Sequence, residues 1–512
     1  MVSVGALRRK QLRRGVGGFA AACLLAGFAV RAWAGWHGYF ADDESLFWAT
    51  GLQIARGEAF PLVGPPISGS PAGLPGPLFY WVSALPAFVS SHPYAQSLFY
   101  AAFAELGVLA FASALRRWWG VRATALFLVL SIGLPFLVAY SDRIWAGNLF
   151  FTLAAGIVWL TSRLVARPTR RAEAFALGAL AVAMPQLHLS TVHLVLVSAL
   201  ALIAFRKWPS FRWLLAGAVV GALFYIPYLV HELRTDFSNT LAIRAHAASV
   251  PERNAAALGS LYLSFFGLGT TDISYLFARG YWYGFNHFDF WRGGGVNAMK
   301  QVYTQAGVAP LLWLAHGLTW ALQAAGLAVL LVRVVRRRKA DLFTVFLLVA
   351  LADITALYLL SGKAGYVHYT TIVLPLALLP TLAVFRALPR KISLRAAPVV
   401  LAIVLSACGV ILHHFYLGLE GTIPDQVAIV RRVHQERAGR NFAFLSGSQW
   451  IFGNAYARLS VLLEQTPWAP QQQADPKDTF VVFTRKDWEQ SPRQGLELLE
   501  ALPHLVLTRV AR

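Results

Sequence analysis

Three adjacent acidic residues, Asp42, Asp43 and Glu44, follow the first long apolar segment of this chain. Acidic side chains beside a membrane-spanning segment are costly unless something uses them, so they are the first candidates for chemistry. A carboxylate at such a position can act as a general base toward a hydroxyl group. Aromatic residues flank the triplet on both sides, namely Trp36, Tyr39, Phe40, Phe47 and Trp48. Because Trp and Tyr concentrate at the membrane surface, the carboxylates are expected at the depth of the lipid headgroups.

The chain that must position this triplet is too apolar for a single soluble core. Of its 512 residues 57% are hydrophobic and 13% are charged, and its mean hydropathy is +0.54. This composition predicts a polytopic bundle of membrane-spanning helices. The apolar segments predict about eleven spans, at 17–35, 94–115, 123–140, 148–163, 172–185, 191–205, 213–230, 309–332, 342–360, 370–385 and 396–415. A shorter stretch, 77–89, contains Pro86 and predicts an interfacial or re-entrant helix.

The net charge of +21 is explained by membrane topology. Lys and Arg cluster at alternate span ends, as in Arg163–Arg171 and Arg333–Lys339, whereas the intervening short segments carry few of them. By the positive-inside rule the N-terminus is cytoplasmic, and the loops 36–93 and 231–308 are extracytoplasmic. The sequence therefore predicts a multi-pass protein of the cell membrane, and its basic excess does not indicate nucleic-acid binding.

The chain divides into a transmembrane domain, 1–416, and a C-terminal tail, 417–512, on the extracytoplasmic side. The tail alternates helical and strand-like patterns, which predicts a small α/β cap domain. Its predicted helices are 424–436 and 455–464, and its predicted strands are 442–445, 479–484 and 505–510.

Several motifs, taken in order, resemble GT-C glycosyltransferases of the protein O-mannosyltransferase and aminoarabinose-transferase type. The first outer loop of those enzymes is similar to Tyr39–Trp48, Gly51–Gly57 and Pro77–Trp81. Later turns of the family resemble Leu115–Arg122, Ser141–Asn148 and His368–Pro375. The resemblance implies a GT-C-like fold over most of residues 17–390.

The resemblance also implies a reaction. A sugar would pass, with inversion, from a polyprenyl-phosphate carrier to a lipid, polysaccharide or protein acceptor on the outer face. The family's base falls on Asp43, followed by Glu44, and Asp42 is an additional carboxylate. A second acidic residue found in the second outer loop of many members falls on Asp142.

A leaving lipid phosphate needs fixed cations. Lys363 is the first candidate, because it lies at a span exit between two glycines and near His368 and Tyr369. Arg143 and Arg56 are further candidates for the donor phosphate. Lys363 snorkelling to the interface and an ion pair between Arg143 and its neighbour are the structural alternatives.

The chain departs from the aminoarabinose-transferase pattern at two donor positions. Leu46 and Phe47 stand where that type has a basic residue and a Tyr, and Pro75-Gly76 stands where it has a Lys. The candidate substrate contacts are Tyr80, Gln186 and His188, although the last two also suit a structural polar turn. Metal dependence stays open, because Asp42 and Asp43 together could bind a divalent ion.

Two other classes of function are compatible with a polytopic chain. A transporter or flippase of lipid-linked substrates predicts carboxylates at mid-membrane, and Asp353 is one such residue in a predicted span. A non-catalytic scaffold or receptor would have no use for an acidic triplet beneath aromatic residues. The glycosyltransferase interpretation accounts for the triplet best.

Overall fold

The computed structural model describes most of the chain, with gaps in the outer segments and the C-terminal tail. The described residues are 4–38, 40, 42–67, 70–139, 144–248, 255–271, 297, 300, 303–304, 306–337, 340–361, 374–388, 397–417, 422–437, 443–446, 456, 458–459, 479–490, 496–503 and 505–510.

Helices dominate the first four-fifths of the chain. Those before residue 250 are α1 (Val4–Trp36), α2 (Asp42–Ala55), α3 (Leu78–Ala87), α4 (Pro93–Trp118), α5 (Val121–Gly133), α6 (Pro135–Ala139), α7 (Phe150–Ala166), α8 (Arg171–Ala183), α9 (Val192–Ala204), α10 (Phe211–Leu223), α11 (Ile226–Arg234) and α12 (Ser238–Ala248). Those that follow are α13 (Ala255–Gly267), α14 (Ala309–Arg337), α15 (Leu342–Ser361), α16 (Leu374–Ala377), α17 (Leu379–Ala387) and α18 (Ala397–Leu417).

All eleven segments predicted as spans fall on these helices. Within the described residues, four helices are long and apolar enough to cross a membrane, or five when α10 and α11, bent by 51°, count as one. Several predicted spans are interrupted at prolines, as α5 stops before Pro135 and α16 stops before Pro380. Proline lacks the N–H that continues a helix, so an apolar run there becomes two shorter helices. The short apolar stretch 77–89 forms α3, with Pro86 inside it.

Small residues allow the membrane helices to approach closely. A Cβ added to Gly217 in α10 would lie 1.9 Å from the carbonyl oxygen of Phe175 in α8, and one added to Gly178 would lie 2.1 Å from that of Leu214. Such contact between backbones is typical of helix packing in membranes, where van der Waals contact stabilises association.

Two charged side chains described inside the bundle, Arg31 and Asp353, have partners of opposite charge or polarity. Arg31 in α1 is fully buried; it makes an ion pair with Glu105 in α4 and donates to the carbonyl oxygen of Ser131 in α5, 2.6 Å away. His193 in α9 lies 2.8 Å from the carboxylate of Asp353 in α15. Asp353 therefore has a structural partner, as expected for an acidic residue in a span.

The C-terminal tail contains an α/β unit. Its elements are α19 (Ile423–Arg437), β1 (Ala443–Ser446), β2 (Thr479–Thr484), α20 (Arg485–Gln490), β3 (Leu496–Ala501) and β4 (Leu505–Val510). The strands form one mixed sheet in the order β1-β2-β4-β3, with β1 parallel to β2 and the other pairs antiparallel. The predicted first helix and three predicted strands are present. Strand β3 was not predicted, because Leu496–Ala501 has a bulge and no regular alternation of apolar and polar residues.

The hydrophobic core is continuous between the two regions. One cluster of buried side chains includes Phe79 and Tyr100 of the membrane region together with Val430, Phe480 and Leu507 of the tail. The chain is thus a polytopic helical membrane protein whose small C-terminal α/β unit packs against the bundle.

Candidate active site at the first outer loop

The acidic triplet forms the first turn of α2. The unsatisfied backbone N–H groups of a helix N-terminus stabilise negative charge, so this is a favourable place for carboxylates. The Asp43 side chain is exposed, whereas Glu44 is only 6% exposed and Ser45 is fully buried. Of the pair Asp43 and Glu44, only Asp43 therefore has an exposed carboxylate. The side chain of Asp42 lies outside the described residues.

Aromatic side chains fix α2 in place. Phe47 meets the ring of Phe79 edge-on at 4.9 Å and lies 6.2 Å from the ring of Tyr80. Trp48 donates its indole N–H to the carbonyl oxygen of Ser91, at 3.0 Å, just before α4. The aromatic residues that predicted a membrane-surface position therefore also connect α2 with α3 and with the start of α4.

Helices α3 and α4 are joined by buried hydrogen bonds. The hydroxyls of Ser83 and Tyr100 lie 2.8 Å apart, and Gln96 donates to the carbonyl oxygen of Ser83 at 2.8 Å. Gly51 of α2 lies against the same carbonyl, because a Cβ there would lie 2.8 Å from it. These contacts hold α2, α3 and α4 in one arrangement beneath Asp43.

Tyr80 lies in the first turn of α3, within electrostatic reach of Asp43. It is 6% exposed, and its pKa is raised to about 12, mainly by burial and further by the negative charge of Asp43. The positive charge of Arg458 acts in the opposite direction. Tyr80 is therefore protonated at neutral pH and can donate a hydrogen bond to a substrate oxygen.

The loop before α3 is also held firmly. Backbone hydrogen bonds join Gly64 to Leu74 and Ile67 to Ala72, which makes a small hairpin. Asn239 of α12 accepts from the Gly73 N–H at 2.7 Å and donates to the Gly73 carbonyl at 3.0 Å. The hairpin that leads into α3 is therefore fastened to the next outer segment.

Gln186 lies against the end of this hairpin. It occupies a short 3₁₀ turn, Met184–Gln186, after α8, and it is fully buried against Gly76. Within the described part of the chain, neither the amide oxygen nor the amide nitrogen of Gln186 has a hydrogen-bond partner. Because buried polar groups are nearly always satisfied, this amide is a candidate contact for a substrate hydroxyl or a water molecule.

His188 follows in the same turn and is half-buried. Its Nδ1 lies 2.5 Å from the Ser190 hydroxyl, and its ring meets Phe150 edge-on at 5.1 Å. Burial lowers the pKa of His188 to about 4. The imidazole is therefore neutral at pH 7, so it can form hydrogen bonds but supplies no positive charge to a phosphate.

Replacing Gly76 by Ala is expected to destabilise the site. Gly76 has φ +135°, and an added Cβ would lie 2.1 Å from the Gln186 amide oxygen, so the Gln186 side chain must shift. Backbone strain sets most of the expected loss, about 1–3 kcal/mol in the free energy of unfolding, and the displacement of buried Gln186 adds to it. The matched control is Gly57→Ala, where φ is +74° but the space is open, so strain alone predicts about 1 kcal/mol. Equal losses in thermal unfolding of the two variants would contradict the Gln186 contact.

The C-terminal unit contributes to the same site. Arg458 donates from Nη1 to the Ser45 hydroxyl at 2.6 Å, and the Ile423 N–H donates to the Gly38 carbonyl at 3.2 Å. The pKa of His92, before α4, is lowered mainly by burial and further by Arg431 of α19. Arg458 could not be selected from the sequence, because no local motif surrounds it and its partner is 413 positions away.

Of the other predicted residues, the structure describes only Arg56. Arg56 is exposed just beyond the C-terminal end of α2, about 20 Å along the helix axis from Asp43. The remaining predicted residues lie outside the described residues, and they are Asp142, Arg143, Lys363, His368 and Tyr369.

The sequence does not decide whether the protein binds a metal ion. Among the described residues, no three His, Cys, Asp or Glu side chains are grouped closely enough to hold a metal ion.

Two solved structures of ArnT share this architecture. The apo crystal structure of ArnT from Cupriavidus metallidurans matches with a TM-score of 0.56 and 14% identity, over 97% of this chain and 98% of that chain. The crystal structure of the same protein bound to undecaprenyl phosphate matches with a TM-score of 0.55 and 13% identity, over 96% and 97% of the two chains. The Archaeoglobus fulgidus oligosaccharyltransferase in its apo form gives a TM-score of 0.47 and 14% identity, over 92% of this chain and 69% of that chain.

The sequence comparisons give a different result for this chain from the structure comparison. No protein-family model matches it, and no curated protein sequence does. The fold, however, extends over nearly the whole length of both chains in the ArnT comparison. The chain therefore has the fold of ArnT, and the predicted polytopic helical fold is confirmed.

Proposed function

We propose that this protein is a glycosyltransferase that moves a sugar from a polyprenyl-phosphate carrier to a hydroxyl acceptor on the extracytoplasmic face of the membrane. The observation that carries the proposal is the exposed Asp43 carboxylate at the N-terminus of α2, held above Tyr80 in an ArnT-like bundle. The ArnT structure with undecaprenyl phosphate supports a donor of this class.

In this reaction Asp43 is the general base. Its carboxylate takes the proton of the acceptor hydroxyl while the oxygen attacks the anomeric carbon. The bond between that carbon and the phosphate oxygen breaks, and its electron pair leaves with the polyprenyl phosphate. Attack opposite the leaving group inverts the anomeric configuration. The acceptor hydroxyl loses one proton as its oxygen forms the new bond, and Asp43 takes that proton.

The neighbouring acidic residues have supporting roles. Glu44 points into the protein and completes the negative turn of α2, so it positions Asp43. Asp42 and Asp142 are proposed as additional carboxylates near the acceptor, as the family resemblance implies.

Polar groups around the site would bind the donor. Tyr80 keeps its proton and can donate to a donor oxygen, and the buried amide of Gln186 together with neutral His188 suits sugar hydroxyls. The cations proposed for the phosphate from the sequence are Lys363 and Arg143, with His368 and Tyr369 beside Lys363. Arg56 is the weakest of these proposals, because α2 separates it from Asp43.

The proposed orientation follows from the charge pattern of the sequence. The N-terminus is cytoplasmic, and the acidic loop lies outside. The contact between Arg458 and Ser45 supports a C-terminal domain, proposed as residues 417–512, on the same face as that loop. The acceptor is proposed to be a lipid, a polysaccharide or an exported protein.

The test is a transfer assay with purified protein in proteoliposomes. Polyprenyl phosphate carrying a radiolabelled sugar is incubated with extracted lipids, polysaccharides or exported proteins as acceptors. We expect the label to leave the carrier and free polyprenyl phosphate to accumulate in equal amount. Parallel reactions with EDTA or with added divalent ions test for a metal requirement. Label that stays on the carrier but crosses the bilayer would overturn the proposal in favour of a flippase.

A further inference from the structure

Arg458 of the C-terminal unit reaches into the acidic loop. Its guanidinium Nη1 lies 2.6 Å from the Ser45 hydroxyl, two residues after Asp43 and next to Glu44. The side chain is half-buried, so it is confined between the two parts of the chain.

The position of Arg458 is fixed by its neighbours. Tyr456 and Leu459 are each 1% exposed and belong to the core that runs from the membrane helices into the sheet. The start of α19 is tied to the first loop by the hydrogen bond from Ile423 to Gly38. Arg458 is therefore presented by a packed segment that is part of a continuous core.

The charges of Asp43 and Arg458 both affect the pKa of Tyr80. Both act on its phenol, Asp43 raising the Tyr80 pKa and Arg458 lowering it. A negative and a positive group therefore both lie near one hydrogen-bond donor, and a base and a phosphate ligand need charges of these two signs.

The first outer loop lacks cations of its own at this place. Leu46 and Phe47 follow the acidic triplet, Pro75 and Gly76 precede α3, and Arg56 lies at the far end of α2. Among the described residues, Arg458 of the C-terminal unit brings a positive charge to the acidic turn, where it contacts Ser45.

We infer that Arg458 binds the phosphate of the polyprenyl-phosphate donor, so that the C-terminal domain completes the catalytic site. This inference rests on the proposed function. When the carbon–oxygen bond breaks, its electron pair passes to the phosphate oxygen and the phosphate gains one negative charge. A guanidinium can meet two phosphate oxygens at once, so it stabilises this added charge as the carrier leaves.

The experiment measures binding of undecaprenyl phosphate, without any sugar, to the purified full-length protein. Arg458→Gln is expected to weaken this binding about 10- to 100-fold, the value of a hydrogen bond to a charged group. Undecaprenol has no phosphate and therefore has no charged group for Arg458 to contact. Its binding is expected to change less than about threefold in this variant. Arg458→Lys is expected to recover only part of the affinity, because it keeps the positive charge but cannot make the paired contact with two phosphate oxygens.

The control is Arg485→Gln in the same unit. Arg485 is exposed and lies 3.6 Å from Glu489, so its loss is expected to change neither lipid's affinity. Thermal unfolding of each variant separates the proposal from a role in docking alone. Unchanged phosphate binding by Arg458→Gln would overturn the inference. Equal weakening for undecaprenol and undecaprenyl phosphate, with a lower unfolding temperature, would also overturn it.

Measurements of phosphate binding and of sugar transfer distinguish an error in the role of Arg458 from an error in the proposed reaction. Charge-dependent binding through Arg458 without any sugar transfer would refute the proposed reaction but leave the phosphate site standing. Sugar transfer with an unchanged donor KM in Arg458→Gln would confirm the reaction and refute the role of Arg458.

Discussion

Replacing Asp43 by Asn is expected to reduce sugar transfer by about 10²- to 10⁴-fold, which is the usual contribution of a general base. Asn has nearly the same shape as Asp but cannot accept the proton of the acceptor hydroxyl. Because the side chain is exposed, the variant is expected to fold like the wild type. The measurement is the rate of release of polyprenyl phosphate from the labelled donor, with thermal unfolding recorded in parallel.

The matched control for Asp43→Asn is Glu58→Gln, an exposed acidic residue just beyond the other end of α2. It removes the same charge from the same loop without touching the site, and transfer is expected to change less than about twofold. Transfer by Asp43→Asn at the wild-type rate would refute its role as base. A large loss in Asp42→Asn together with normal transfer by Asp43→Asn would assign that role to Asp42.

Replacing Arg31 by Leu is expected to destabilise the membrane bundle by about 3–5 kcal/mol, the cost of breaking a buried ion pair by removing one partner. Arg31 is fully buried and connects α1 with Glu105 of α4 and with Ser131 of α5. Its loss leaves the Glu105 carboxylate inside the bundle without its guanidinium. The measurement is the free energy of unfolding in mixed detergent micelles.

The double variant Arg31→Leu with Glu105→Leu tests the cause of this loss. An apolar pair removes the buried charge, so most of the stability is expected to return. Arg432→Leu is the control for a partly exposed pair, because Arg432 and Glu436 lie 2.7 Å apart on α19. That variant is expected to lose less than about 1 kcal/mol. A double variant as unstable as Arg31→Leu would show that packing of Arg31, and not its pairing, is what matters.

Much of the fold could be predicted because it depends on local composition. Apolar length located the eleven helical segments, and the period of apolar residues located α19, β2 and β4. The number of full-length spans could not be predicted as well. Prolines at 135 and 380 divide apolar runs that look continuous by hydropathy.

The candidate site was predictable in part. The acidic triplet stood out because three carboxylates beside a span are rare, and its aromatic neighbours indicated the membrane surface. The sequence could not rank Asp43 and Glu44 by exposure, because that depends on which face of α2 packs against α3 and α4. Nor could it show that Gln186 meets Gly76 or that Asn239 holds Gly73.

The sequence by itself determined the class of this protein, its helical segments and its acidic turn, because hydropathy and charge spacing act over short stretches of chain. Only the tertiary structure decided which carboxylate faces outward and which cation stands near it. Arg458 meets Ser45 across 413 positions because the C-terminal unit shares its hydrophobic core with the membrane bundle. Contacts of that kind depend on how whole units pack, and no local pattern of residues encodes them.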